Sequence, residues 1–187
     1  MAMRHPPLPV RSTWTVADLE QLPDDGKRYG ILHGELFVTP PPSLGHQHIA
    51  MELAFRLKRW CLTNAPWTIL APGGIYMSEK DWCEPDVCVY TVPHSAGRTW
   101  RDLPPPILAV EILSPRTAKH DRQEKRPAYL THGVGEVWLI DGRTRTVERW
   151  TTARDIPEVM QGTITWTPDQ TLPTLVIQEA ELFGPPM

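Results

Sequence analysis

The run Ile107-Leu108-Ala109-Val110-Glu111-Ile112-Leu113 constrains this chain most. It is apolar except for one acid and lacks the alternation of a half-exposed strand, which describes a strand buried on both faces. Ser114-Pro115 stops it, since proline fixes φ and brings no N–H. Such a strand sits inside a sheet covered on both sides, so the rest of the chain must supply the covering layers. Glu111 is then an acid in a core position, costly unless it is paired, hydrogen-bonded or bound to metal.

A second apolar run, Glu84-Pro85-Asp86-Val87-Cys88-Val89-Tyr90, opens with the same problem at Asp86. If the two strands are neighbours, their carboxylates meet near one end of the sheet. Like charges ~4 Å apart repel by about 4 kcal/mol at an intermediate dielectric. Either one carboxyl is protonated or a divalent cation joins them. Mg²⁺ suits such a pair, because it accepts a few carboxylates, keeps its waters and takes substrate phosphates as further ligands.

The segment after the Ile107–Leu113 strand has helical spacing. Asp121, Lys125 and Tyr129 stand four apart and share one helix face, over a predicted helix from Asp121 to Thr131 that Pro127 distorts in its first turn. The plain reading is an exposed Asp121–Lys125 ion pair above a packed tyrosine. The alternative brings Lys125 back over the sheet toward the two acids. Residues 116 to 126 also carry a local excess of three positive charges, with Arg116, Lys119 and Arg122 among them, while the rest of the chain is near −6. That patch is either a solvated helix face or a place for an anionic substrate; the overall charge of −3 argues against a protein that coats nucleic acid indiscriminately.

The other elements fill in a mixed sheet with two principal helices, an α/β or α+β class. Ser12 or Thr13 caps a short helix over Val16 to Leu22. Tyr29–Leu32 and Glu35–Val38 form a hairpin through His33-Gly34. Ile49, Leu53, Leu57 and Trp60 mark a long helix that lies on the sheet, with Ser43 as its cap. Strands follow at Trp67–Leu70, Ile75–Met77, Val137–Ile140 and Thr146–Thr151, with edge strands at Ile164–Thr167 and Leu175–Ile177 and a half-turn at Glu179–Phe183. At 187 residues one domain is expected, residues 13–187, after a loose Pro-rich tail over residues 1–12. No run approaches the length of a membrane span, the first residues lack the apolar core of a signal peptide, and Cys61, Cys83 and Cys88 form no CxxC pair, so a cytoplasmic protein with reduced thiols is expected. A zinc site on Cys83 and Cys88 is the alternative to two buried thiols.

Taken in order, Glu-Pro-Asp-Val, Val-Glu-Ile-Leu-Ser-Pro, Asp-x-x-x-Lys-x-x-x-Tyr and Gly-Val-x-Glu-Val-Trp-Leu-Ile-Asp resemble the Uma-two family of restriction-endonuclease-like proteins. The resemblance extends to Tyr29-Gly30-Ile31-Leu32-His33-Gly34-Glu35-Leu36, to Pro41-Pro42-Ser43 with His46, and to the closing Leu-Phe. It implies the PD-(D/E)XK nuclease fold, a restriction-endonuclease-like mixed central sheet flanked by helices. It implies that Asp86 and Glu111 bind Mg²⁺ or Mn²⁺ and that Lys125 is the catalytic lysine. In the commonest form of such sites that lysine stands on the strand, where this chain has Leu113. The family commonly has Glu where this chain has Gly30; Glu35 in the same hairpin is either its substitute or an exposed hairpin residue. His46 is either a helix cap or a residue facing the site, with Asp121 and Tyr129 as further accessory candidates.

The function expected from these residues is metal-dependent hydrolysis of DNA phosphodiester bonds. Arg116, Lys119 and Arg122 would meet the DNA backbone, and a homodimer would place one site on each strand. The rival is a nuclease-fold domain that has lost part of its site and acts in DNA binding or protein interaction, which Gly30 and Leu113 favour.

Overall fold

A computed structural model describes residues 11–23, 25–95 and 97–184. Most of the tail expected over residues 1–12 lies outside these; Arg11 pairs with Asp18 at 2.7 Å. The first helix, α1 (Val16–Leu19), is capped by Thr15 and is shorter than the spacing predicts. The hairpin β1 (Arg28–Leu32) and β2 (Glu35–Thr39) follows, then α2 (Leu44–Asn64), whose first turn is closed by Ser43 Oγ accepting from the His46 amide at 3.2 Å. Such a cap is worth ~1 kcal/mol.

Next come β3 (Thr68–Leu70), β4 (Ile75–Ser78), β5 (Asp81–Cys83), β6 (Val87–Tyr90) and β7 (Leu108–Ile112). The helix after β7 is built in three parts: α3 (Ala118–His120), a π turn (Asp121–Lys125) and α4 (Arg126–His132). The chain closes with β8 (Glu136–Asp141), β9 (Thr146–Trp150), β10 (Glu158–Met160), β11 (Thr163–Trp166), β12 (Leu175–Gln178) and α5 (Glu179–Phe183). Strands β5 and β10 are additions to the sequence reading.

A six-stranded sheet runs β10-β9-β8-β7-β6-β3, and a four-stranded sheet runs β2-β1-β5-β4. Within the six-stranded sheet β7 and β8 are parallel and the other pairs antiparallel. As the unbroken apolar run requires, β7 is interior and every one of its residues is buried. Alternation then sorts the side chains. Val87, Val89, Leu108, Val110, Ile112, Trp138 and Ile140 pack with Ile49, Leu53, Leu57 and Trp60 of α2. Burying each of those α2 side chains contributes about 1.5–3 kcal/mol. Cys88, Tyr90, Ala109, Val137 and Leu139 point the other way, into a second core with Tyr129 of α4 and with Leu32, Ile75 and Cys83 of the smaller sheet. Among the described residues no helix is long and apolar enough to cross a membrane. Cys61, Cys83 and Cys88 are buried free thiols.

Candidate active site

Asp86 immediately precedes β6, and the register that pairs Val87 with Val110 and Cys88 with Ala109 brings it opposite Glu111 one step further on. Directly opposed residues of an antiparallel pair share a face. The two acids therefore project to the side covered by α4 and the β1–β2 hairpin. Both are buried, at 7% and 4% exposure.

Each acid has its own donors. Asp86 Oδ2 accepts from the Ile112 amide at 2.9 Å and lies 3.0 Å from His46 Nε2, while Arg28 Nη2 stands 3.5 Å from Oδ1. Burial raises the Asp86 pKa, but His46, the Ile112 amide and Arg28 outweigh it and hold the carboxyl below its ordinary value. On Glu111, Tyr129 donates to Oε1 at 2.7 Å and Lys125 Nζ lies 3.2 Å from the same oxygen. Burial pushes the Glu111 carboxyl up to about 8 against the pull of Lys125.

Lys125 is itself 4% exposed, with Nζ 3.1 Å from Asp121 Oδ1 and 5.5 Å from the centre of the Phe37 ring. Burial disfavours its charge, yet Glu111 and Asp121 prevail and its pKa is raised. The exposed Asp121–Lys125 pair of the plain sequence reading is thus corrected: the pair is buried and directed at Glu111. Asp121 and Lys125 bound a π turn. The Arg126 N–H bonds to the Asp121 carbonyl, five residues back, so the backbone is widened just before Pro127, which has no N–H to give. The helix also starts at Ala118 rather than Asp121, because the Ser114 carbonyl accepts from the Ala118 amide at 2.9 Å.

These groups open onto a cleft of about 920 Å³ between the hairpin end of the smaller sheet, the start of α2 and the loops after β7 and β8. Asp86, Glu111, Asp121, Lys125 and His46 all line it. Tyr129 lies behind Glu111, with no exposure. Glu35 sits exposed at the turn end of the hairpin, while the opposite end, at Arg28 and Thr39, borders the cleft. Of the three basic residues expected to meet DNA, Arg116 lines the cleft and Lys119 is exposed outside it. Arg122 is bound to Glu148 at 2.6 Å. Arg28, Arg143 and Arg145, which sequence reasoning passed over, line the cleft as well. The Asp141-Gly142 turn held a signal for two of them: β8 runs parallel to β7, so the turn that follows β8 emerges beside Glu111.

The position where Glu was expected is closed. A Cβ on Gly30 would lie 2.2 Å from the ring of Phe37, its partner across the hairpin. Leu113 is half-buried and packs with the second core.

The family model described as "Putative restriction endonuclease" matches residues 16–180. The chain belongs to the Uma-two family. Among solved structures it is similar to one described as a putative nuclease belonging to DUF820 from Anabaena variabilis, with a TM-score of 0.74 and 19% identity, over 90% of this chain and 97% of that one. The two share the fold, a mixed α+β architecture. No curated protein matches. Within this Uma-two chain, the motif residues of the first and second acid strands and of the helix that follows converge on one cleft.

Proposed function

We propose that this chain is a metal-dependent endonuclease that hydrolyses DNA phosphodiester bonds. One observation carries the reading: Asp86 and Glu111 face each other on adjacent strands, with the Lys125 ammonium brought to Glu111 by the next helix. The donor set fits a hard cation. Asp86 and Glu111 are buried acids that line the cleft, and carboxylate oxygens are the donors that Mg²⁺ and Mn²⁺ take. Among the described residues no group of three or more His, Cys, Asp or Glu side chains could hold a metal ion, so a cation here would rest on two carboxylates and water. The fit is therefore to Mg²⁺ or Mn²⁺ held by Asp86 and Glu111 and keeping most of its waters. When bound, such an ion supplies a water of lowered pKa and charge stabilisation at the phosphoryl group.

The side chains do the rest. Tyr129 and Lys125 both engage Glu111 Oε1, which fixes the side chain where it lines the cleft. Lys125 stays charged, so it orients water and stabilises the phosphate rather than removing a proton. His46 and the Ile112 amide hold Asp86 from the other side. Arg28 and Arg116 give the cleft cationic walls for the DNA backbone. We place the protein in the cytoplasm with its substrate.

A second reading has its own support. With Phe37 over Gly30, and Leu113 on the strand, the site lacks two groups that the family resemblance leads one to expect, as in a domain that binds DNA or protein without cutting. Plasmid incubated with Mg²⁺, Mn²⁺ or EDTA, beside a Glu111→Ala control, separates the two. The enzyme reading expects nicking that both EDTA and the substitution abolish. DNA binding without cleavage, or cleavage indifferent to both, overturns it.

A further inference from the structure

Helix α2 is apolar on two opposite faces. Ile49, Leu53, Leu57 and Trp60 form the buried one. On the other, Leu44, Met51, Phe55 and Leu62 are 92%, 69%, 52% and 75% exposed. At 3.6 residues per turn these four fall within about 20° of a single line that runs about 27 Å along the helix. His48 and Lys58, both exposed, complete a seam spaced alternately four and three residues apart. That is the spacing with which a helix packs lengthwise against another helix. The contact of α2 with α5, through Arg56 and Glu181, lies on a flank and leaves the seam open.

The seam reads the same from either end. Leu44 and Leu62, His48 and Lys58, and Met51 and Phe55 are each equidistant from Leu53. A two-fold axis at the level of Leu53 therefore sets apolar against apolar and polar against polar in two antiparallel copies. Such self-complementarity is what a contact between identical surfaces needs, and a different partner would not require it. A parallel pair would instead stack Lys58 on Lys58, a like-charge contact. We propose that this protein forms a homodimer through an antiparallel α2–α2 pair. A single helix pair is at the small end of stable interfaces, so self-association is on the order of micromolar.

The pairing also bears on the cleft. It brings Lys58 and Arg59 of the second copy level with His48, which lines the cleft mouth. Each copy thus adds basic charge to the other's rim. Only this consequence rests on the DNA reading; the dimer itself does not.

Cross-linking by mixing tests the proposal without any nuclease assay. Leu44→Cys and Leu62→Cys chains are purified separately, mixed and mildly oxidised. Both positions are exposed and the native cysteines are buried, so background is low and folding is checked by circular dichroism. The expected result is a disulfide-linked dimer in the mixture and little from either chain alone. Sedimentation equilibrium of the full chain should show a monomer–dimer equilibrium, and Met51→Glu with Phe55→Glu should raise its dissociation constant at least about 100-fold. Three results overturn the proposal. They are a monomer at about 100 µM, with the seam left to another occupant; a cross-link formed by Leu44→Cys alone, as a parallel pair gives; or self-association unchanged in the double variant.

Discussion

Lys125 Nζ lies 3.2 Å from Glu111 Oε1, and both side chains are almost fully buried. Neither group has water to fall back on, and the Lys125 ammonium is held between two buried acids, Glu111 and Asp121. Replacing Lys125 by Met leaves Glu111 and Asp121 buried without their common cation, a cost of about 3–5 kcal/mol. Urea unfolding at pH 8 should show that loss for Lys125→Met. Adding Glu111→Gln should recover part of it, because the amide still accepts from Tyr129. A double variant no more stable than the single one would mean that Glu111 and Lys125 do not act as a pair.

The same burial gives stability a pH dependence. Glu111 ordinarily titrates near 4.5 and in the fold near 8. Its contribution is therefore full below 4.5 and drains away as pH rises to about 8, while the unfolded chain releases a proton that the folded chain keeps. Asp86 works in the opposite sense: its carboxyl is held below 3.8 despite burial, so its contribution is present above that value and lost as pH falls. Urea midpoints should decline from pH 5 to pH 8, and Glu111→Gln should flatten that decline. An unchanged slope in the variant would assign the pH dependence to another group.

Much of this site could be read from spacing, because its parts are local. Glu111 stood out as the one acid inside an otherwise apolar run, and the pairing of β6 with β7 needed only two adjacent strands. Asp121, Lys125 and Tyr129 share a helix face at any helical pitch close to ideal, which the π turn preserves. What escaped is non-local or short. Arg28 reaches the cleft from the other sheet, far from both acids in the chain, and nothing beside it in sequence marks that. Strand β5 is three residues long and meets β1 at the single pair Ile31 and Trp82. Arg122 shows the converse: a basic cluster fixes charge, but its partner Glu148 lies on β9.

Phe37 decides what position 30 tolerates. With its ring atoms 2.2–2.9 Å from the site of a new Cβ, Gly30→Ala forces the ring to move, at about 1–3 kcal/mol. The ring also contacts His120 edge-on at 4.7 Å, so it has little room to retreat. Gly30→Ala with Phe37→Ala should recover the stability lost by Gly30→Ala relative to Phe37→Ala alone. Gly30→Glu with Phe37→Ala would supply the acid that the family resemblance leads one to expect there and, on the nuclease reading, should tighten Mn²⁺ binding measured by calorimetry. Additive losses from the two alanine substitutions would show that the ring is not what excludes a side chain at 30.

Arg28 offers the sharpest separation of binding from chemistry. Its guanidinium faces Asp86 Oδ1 at 3.5 Å and is about a quarter exposed, so a cation on that oxygen would compete with it. On the nuclease reading, Arg28→Met removes the competitor and should strengthen Mn²⁺ binding several-fold in the absence of DNA. It also removes a cationic wall of the cleft, so plasmid cleavage should fall by ten-fold or more, on the order of 1.4 kcal/mol. A residue that merely supported the fold would lower both. Calorimetry with Mn²⁺ beside a cleavage assay distinguishes the cases: tighter metal with slower cleavage places Arg28 at the phosphate, and weaker metal with slower cleavage makes it a structural support for Asp86.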